Sequence, residues 1–358
     1  MGKRICNGQV WRLYALSFIV VLGVVVFVHE LGHFLAARLS GAGVIEFALG
    51  FGPRIWSRQR GETLYSIRLL PLGGMCRLVG QDDAEASDRK ASARDPKSFQ
   101  NKPIWKRVFI VAAGPIMNFV LAVVILAVLF GAYGVPMAGI AHVVPDTPAE
   151  RAGFLAGDTI LTVNGKPVAG VGGFVGAIST SWDRPVSVGI LRDGSRVDLT
   201  VVPEYDAESK VGKIGVGLSE TLVKGGTRGT LVEAVAFTYG TVNTTLSMLV
   251  ATITGRGKAD VSGPIGIAGL SAQAARAGLP SLMMLIALIS ISLGLLNLMP
   301  IPILDGGWIL LLLVEGIKGS PLKPEFEGFL RFVGLALLVL LMVYATVSDI
   351  SRLLVERL

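Results

Sequence analysis

His29-Glu30-Leu31-Gly32-His33 places two of the chain's three histidines four positions apart. On a helix such residues share a face, so both imidazoles can bind one Zn²⁺ while Glu30 reaches a metal-bound water as general base. A catalytic zinc takes three protein ligands and keeps a further position open for water or substrate. The remaining histidine, His142, lies in a stretch with the character of a soluble insertion, so the third ligand is expected to be an acid, and Asp305 is the candidate. It follows a long apolar run together with Pro300 and Pro302, which cannot continue a regular helix, and it precedes Gly306 and Gly307, which let the backbone turn tightly. The competing use of Asp305 is as N-cap of a short helix that begins at Gly-Gly-Trp-Ile-Leu. Metal binding is the stronger reading.

The setting of the motif supports it. From Leu13 to Val28 the chain is almost wholly apolar, and that run continues through His29, Glu30 and His33 to Arg38. A charged group at bilayer depth costs on the order of 2 kcal/mol or more, so such residues are rare there without a partner or a function. A cleavable signal peptide gains nothing from two histidines and a glutamate at helical spacing, and the run reads as a first span. Apolar residues make up 52% of the 358-residue chain, charged residues 16%, and there are 45 glycines, a balance that suggests several spans rather than one soluble core. The net charge of +7 does not point to nucleic acid, because no basic run is interleaved with aromatics. Cys6 and Cys76 lie far apart in unlike surroundings and indicate neither a disulfide nor a paired-cysteine zinc site.

Residues 1–38 are the first transmembrane helix. From Arg38 to Arg107 there are 13 Lys or Arg against seven Asp or Glu, which by the positive-inside rule makes 39–107 a cytoplasmic loop and puts the N-terminus outside. Within it Phe47 to Val79 alternates apolar strings with glycines, as a β hairpin dipping into the membrane beside the first span would. Residues 108–134 are the second span, interrupted at Gly114-Pro115, with Asn118 expected to face protein. Residues 135–205 form a small α+β domain with turn signals at Asn164-Gly165 and Asp193-Gly194, and Ala149 to Val168 resembles a PDZ domain. Residues 206–279 are expected to be linker and amphipathic helices, and 280–358 the third and fourth spans. Thr230 to Ile253 is long enough to span but carries Glu233, Asn243 and many hydroxyls. If it does not span, Asp305 arrives at the same membrane face as His29 and His33; if it does, they are separated. The expected fold is therefore a polytopic α-helical membrane protein of about four transmembrane helices, with a membrane-associated β hairpin and an inserted α+β PDZ-like domain.

Taken together, the His29-to-His33 motif, Asn297-Leu298-Met299-Pro300-Ile301-Pro302-Ile303-Leu304-Asp305-Gly306, Gly114-Pro115-Ile116-Met117-Asn118 and Gly263-Pro264-Ile265-Gly266-Ile267 resemble the site-2 protease family in its bacterial RseP/RasP branch. The match runs through nearly the whole chain. The resemblance implies an intramembrane zinc metalloprotease in which His29, His33 and Asp305 bind Zn²⁺, Glu30 is the catalytic base and Asn297 positions the substrate backbone. It also implies a hairpin that pairs with an unwound substrate helix, single-span membrane proteins such as anti-sigma factors or remnant signal peptides as substrates, and a multi-pass protein of the bacterial inner membrane. The PDZ-like domain would face the extracytoplasmic side and act as a filter. Two features depart from the family pattern: a single PDZ-like domain where some relatives have two, and Trp308 where His or Arg is common. The rival classes are a non-catalytic membrane PDZ scaffold or chaperone with structural zinc, and a metal transporter. Glu30 argues against the first, and the absence of a polar relay along the spans argues against the second.

Overall fold

A computed structural model describes residues 2–81, 95–168, 170–207, 211–223, 229–253, 263–320 and 324–355. The chain divides into two compact units, Met1–Ala122 with Asp260–Leu358, and Val123–Ala259. Among the described residues four helices contain segments long and apolar enough to cross a membrane: Tyr14–Ser40, Ile104–Tyr133, Leu279–Asn297 and Gly328–Asp349.

In the first unit α1 (Gly2–Ser40) carries the histidines near its C-terminal end. It stops because Gly41 takes a left-handed φ of 73°, which lets the Ala42 N–H reach back to the Ala37 carbonyl at 2.8 Å. A residue with a Cβ resists that conformation. The chain then enters β1 (Val44–Arg60) and β2 (Thr63–Leu78), an antiparallel pair that doubles back on itself. Glu46–Leu49 is matched on one side to Gly74–Arg77 and on the other to Leu64–Ile67, while Arg54–Arg60 is matched to Thr63–Arg68. Gly50 and Gly73, with φ of 90° and 108°, make the bends. Where these stretches meet, Glu46 is 1% exposed and accepts hydrogen bonds from Ser66 at 2.6 Å, Arg68 at 2.8 Å and Arg54 at 3.0 Å. Burial pushes its pKa up, but these partners outweigh burial and hold it at about 2.

Helix α2 (Ile104–Tyr133) runs unbroken through Gly114-Pro115, where the sequence predicts an interruption. Pro115 removes one backbone donor, yet it and its neighbours Ala113 and Gly114 are buried, and packing keeps a helix that propensity alone would end. The division between the units falls within this helix.

The second unit holds a sheet with strand order β10-β3-β4-β6-β7. The elements are β3 (Val135–Val143), α3 (Pro148–Arg151), β4 (Thr159–Val163), the two-residue β5 (Lys166–Pro167) paired with β4, α4 (Gly170–Ser179), β6 (Val186–Arg192) and β7 (Ser195–Val201). A separate pair follows, β8 (Glu204–Asp206) with β9 (Val211–Lys213), and then β10 (Val216–Val223). Both expected hairpin turns are present, with left-handed φ at Asn164 and Gly165 and at Asp193 and Gly194. That pattern is the turn whose twist matches the flanking strands. The core is apolar, with Phe174, Ile140, Ile160, Val188 and Ile190 at most 2% exposed. The sheet extends past the expected boundary at 205, because β10 pairs with β3 from Val216 opposite Val143 to Val223 opposite Val135. Pairing between segments so far apart leaves only a weak local alternation in the sequence.

Helix α5 (Thr230–Ile253) is one continuous helix, and it is not among the four candidate spans. Thr238, Thr241 and Thr245 each donate to the carbonyl four residues back, which satisfies their hydroxyls within the helix.

The first unit resumes with α6 (Pro264–Ala277), α7 (Leu279–Asn297), α8 (Asp305–Lys318) and α9 (Pro324–Val355). Asp349 of α9, 4% exposed, accepts the Gly263 and Gly266 backbone N–H groups at 3.0 and 2.8 Å. A carboxylate from another helix thus does the work of an N-cap side chain for α6.

Candidate metal and catalytic site

His29 and His33 stand one helical turn apart on α1, with Nε2 atoms 3.2 Å from each other and ring planes at 84°. Asp305, the first residue of α8, brings Oδ2 to 3.2 Å from His29 Nε2 and Oδ1 to 3.6 Å from His33 Nε2. Ligand atoms from the three side chains lie within 4.8 Å of one another. The N-cap of α8 is Leu304, without a side-chain cap bond, so Asp305 is not used as the cap that the sequence allowed.

The loop that delivers Asp305 is strained and tightly held. Ile303 has φ of 89°, which a β-branched residue adopts at a cost of roughly 1–3 kcal/mol. A Cβ at Gly306 would overlap the Leu298 and Met299 carbonyls, and one at Gly307 the Ile301 carbonyl. The glycines after Asp305 therefore serve close approach, which differs from the turn flexibility read from the sequence. Farther along α8, Glu315 takes a two-pronged ion pair from Arg107 of α2, at 2.6 and 3.1 Å, with both side chains largely buried. It ties the helix bearing the acid to the helix that backs the histidines.

Two glycines let that backing come close. A Cβ at Gly32 would overlap the Ala113 carbonyl, and a Cβ at Gly114 would overlap the His33 imidazole. With this room His33 Nδ1 lies 2.9 Å from the Ile110 carbonyl. A carbonyl only accepts, so Nδ1 carries the proton, and a neutral His33 presents the Nε2 lone pair to His29 and Asp305.

Glu30 faces β2, where a Cβ at Gly74 would press on its side chain. His29, Glu30, His33, Asn297, Asp305 and Trp308 all line one cavity of about 460 Å³. Cys76 is a free, half-buried cysteine at the wall of the same space. Every sequence-predicted site residue thus reaches the same space. The close approaches at Gly74 and Gly114, the Ile110 carbonyl and the strained Ile303 were missed, and of these only the Gly114-Pro115 pair left a signal in the sequence.

The donor set suits a divalent ion of zinc's type, with two imidazole nitrogens and one carboxylate. The Asp305 Oδ2 atom is buried and makes no hydrogen bond, although His29 Nε2 is near. Facing lone pairs of this kind are stable when a cation lies between them.

A multi-pass membrane metallopeptidase is the class that these spans and donors define. The model of Peptidase family M50 matches residues 17–341, and the chain belongs to that family, the site-2 proteases. It is an intramembrane metalloprotease of that type. A protein of Rhizobium meliloti, named by inference as a zinc metalloprotease, is 37% identical over 359 residues, which are 94% of this chain and 96% of that one. The regulator of sigma-W protease RasP of Bacillus subtilis is 32% identical over 416 residues, 94% of this chain and 98% of its own length. A PDZ domain of an SdrC-like protein from Listeria monocytogenes, at 18% identity and a TM-score of 0.22, aligns with 23% of this chain and 86% of that domain.

Proposed function

We propose that His29, His33 and Asp305 hold the zinc ion of this family, and that Glu30 is the base for hydrolysis of peptide bonds within or beside transmembrane segments. The observation that carries the reading is the convergence of these three side chains on one point, at the cavity that Glu30 also lines. Zinc bound there supplies Lewis acidity, acidifying a water and polarising a carbonyl. Glu30 takes the proton of the attacking water as the new C–O bond forms, and later gives it to the leaving amine as the C–N bond breaks. Asn297, at the cavity wall, hydrogen-bonds the substrate backbone. Trp308 closes the same wall with an aromatic face.

Helical substrates hide their carbonyls in hydrogen bonds and must unwind before they are cut. The β1–β2 pair is the membrane-associated hairpin that receives the unwound strand. Its outer half is exposed from Phe51 to Arg60, with Ile55 and Trp56 half or more exposed. The substrates are single-span membrane proteins such as anti-sigma factors or remnant signal peptides. The name of the Bacillus subtilis relative, a sigma-W regulator, supports the first of these. The domain division follows residues 1–38, 39–107, 108–134, a PDZ-like domain from 135 that takes in β10, then α5 with the following segment, and the last spans to 358. The protein lies in the bacterial inner membrane with the PDZ-like domain outside, where it disfavours substrates still carrying bulky outer domains.

The test is cleavage of a tagged single-span substrate without its outer domain, by purified wild type and Glu30→Gln in detergent, with the cut located by mass spectrometry. A cut within the span that disappears in Glu30→Gln and on chelation is expected. Failure of folded, zinc-loaded wild type to cut any of a panel of such substrates would move the reading to a non-catalytic scaffold.

A further inference from the structure

We propose that Asn118 is a positioning residue for the metal site, its side-chain oxygen accepting the Nδ1–H of His29. The inference rests on the reading that His29 Nε2 is a metal ligand. An imidazole that binds metal through Nε2 carries its proton on Nδ1, and that N–H needs an acceptor to fix the ring. His33 has such an acceptor in the Ile110 carbonyl. The group facing His29 Nδ1 is the Asn118 side chain, whose Nδ2 lies 3.3 Å away.

With Nδ2 in that place the amide donates to Nδ1, the His29 proton moves to Nε2, and Nε2 has no lone pair for a metal. The oxygen and nitrogen of an asparagine side chain exchange positions by a half-turn about the terminal bond. Asn118 is fully buried, and its Oδ1 has no hydrogen-bond partner. The half-turn gives this buried oxygen the donor it lacks and leaves His29 in the tautomer that a Nε2 ligand requires.

The backbone around Asn118 is held for this role. Its main-chain carbonyl accepts the hydroxyl of Ser290 on α7 at 2.8 Å, and Ser290 is itself fully buried. Gly294 on the same helix leaves room for the Asn118 Cβ. On α2, Gly114 and Asn118 are one turn apart and share a face, so one clears space for the histidines and the other supplies the acceptor. Together with Ile110 they let a single helix set the orientation of both imidazoles.

The experiment measures zinc affinity of the purified full-length chain in detergent by competition with a chromophoric chelator, for wild type, Asn118→Ala and Asn118→Asp. Removal of the acceptor in Asn118→Ala is expected to weaken zinc binding by about ten- to a hundredfold. Asn118→Asp keeps an acceptor and loses the donor, so its affinity stays near wild type. An Asn118→Asp chain that binds as weakly as Asn118→Ala overturns the proposal, as does an Asn118→Ala chain that binds as tightly as wild type. Should Asn118→Ala fail to fold, Asn118→Leu, which fills the space without an acceptor, takes its place: a loss of about tenfold or more beside an unaffected Asn118→Asp supports the role, and affinity equal to wild type sinks it. A wild type that takes up no zinc overturns the metalloprotease reading together with this one, whereas zinc-binding wild type with unaffected variants removes only the role of Asn118.

Discussion

Asp158 in the second unit and Asp305 in the first are both acids with little exposure, but their surroundings differ. Asp158, 1% exposed, accepts both the Nε–H and an Nη2–H of Arg192 at 2.7 Å and the Leu155 backbone N–H at 2.8 Å. Its charge is opposed by a cation, and both oxygens are used within its own unit. Asp305 faces two imidazoles and, among the described residues, no Lys or Arg within ion-pair distance, and one of its oxygens makes no hydrogen bond. A buried carboxylate whose bonds are complete serves stability, and one left incomplete among nitrogen donors is kept for a ligand.

The largest effect is expected at Glu30, where Glu30→Gln lowers the cleavage rate by roughly 10²–10⁴-fold with zinc content unchanged, as measured by kinetics and metal analysis on the same sample. In the second unit Phe174→Ala empties the centre of an apolar core and costs about 3–5 kcal/mol. Its signature is lost amide-exchange protection in β4 and β6, with zinc affinity intact. Asp158→Ala leaves Arg192 without its partner and costs about 2 kcal/mol by the same readout, less than a fully buried pair would because the arginine can reach water.

A smaller effect separates Glu46 from both. Its folded pKa of about 2 lies below the ordinary 4.5, so its contribution to stability is complete above pH 4.5 and is lost as pH falls towards 2. Amide protection in β1 and β2 should fall across that window in wild type. In Glu46→Gln protection should be lower at neutral pH and insensitive to acid over the same range. Equal acid sensitivity in the two chains would contradict the ion-pair account.

Much of the site was legible from residue type and spacing. The four-residue interval between His29 and His33 needs only a helix, and Asp305 stood out as an acid closing a long apolar run. The four-span count follows from apolar length. What escaped the sequence depends on tertiary approach. Pro115 and Gly114 looked like an interruption because local propensity ends a helix there, yet the structure spends the missing side chain on room for His33. The bends at Gly50 and Gly73, which fold two strands into a compact sheet around Glu46, require pairings that no local period encodes. The place of β10 beside β3 was hidden for the same reason.

The most direct test of the central claim is the zinc content of purified full-length wild type, Asp305→Ala and Asp158→Ala. If the incomplete acid is the metal ligand, wild type and folded Asp158→Ala carry one zinc per chain and Asp305→Ala carries little. Full zinc occupancy in Asp305→Ala, at an affinity equal to wild type, would contradict the account.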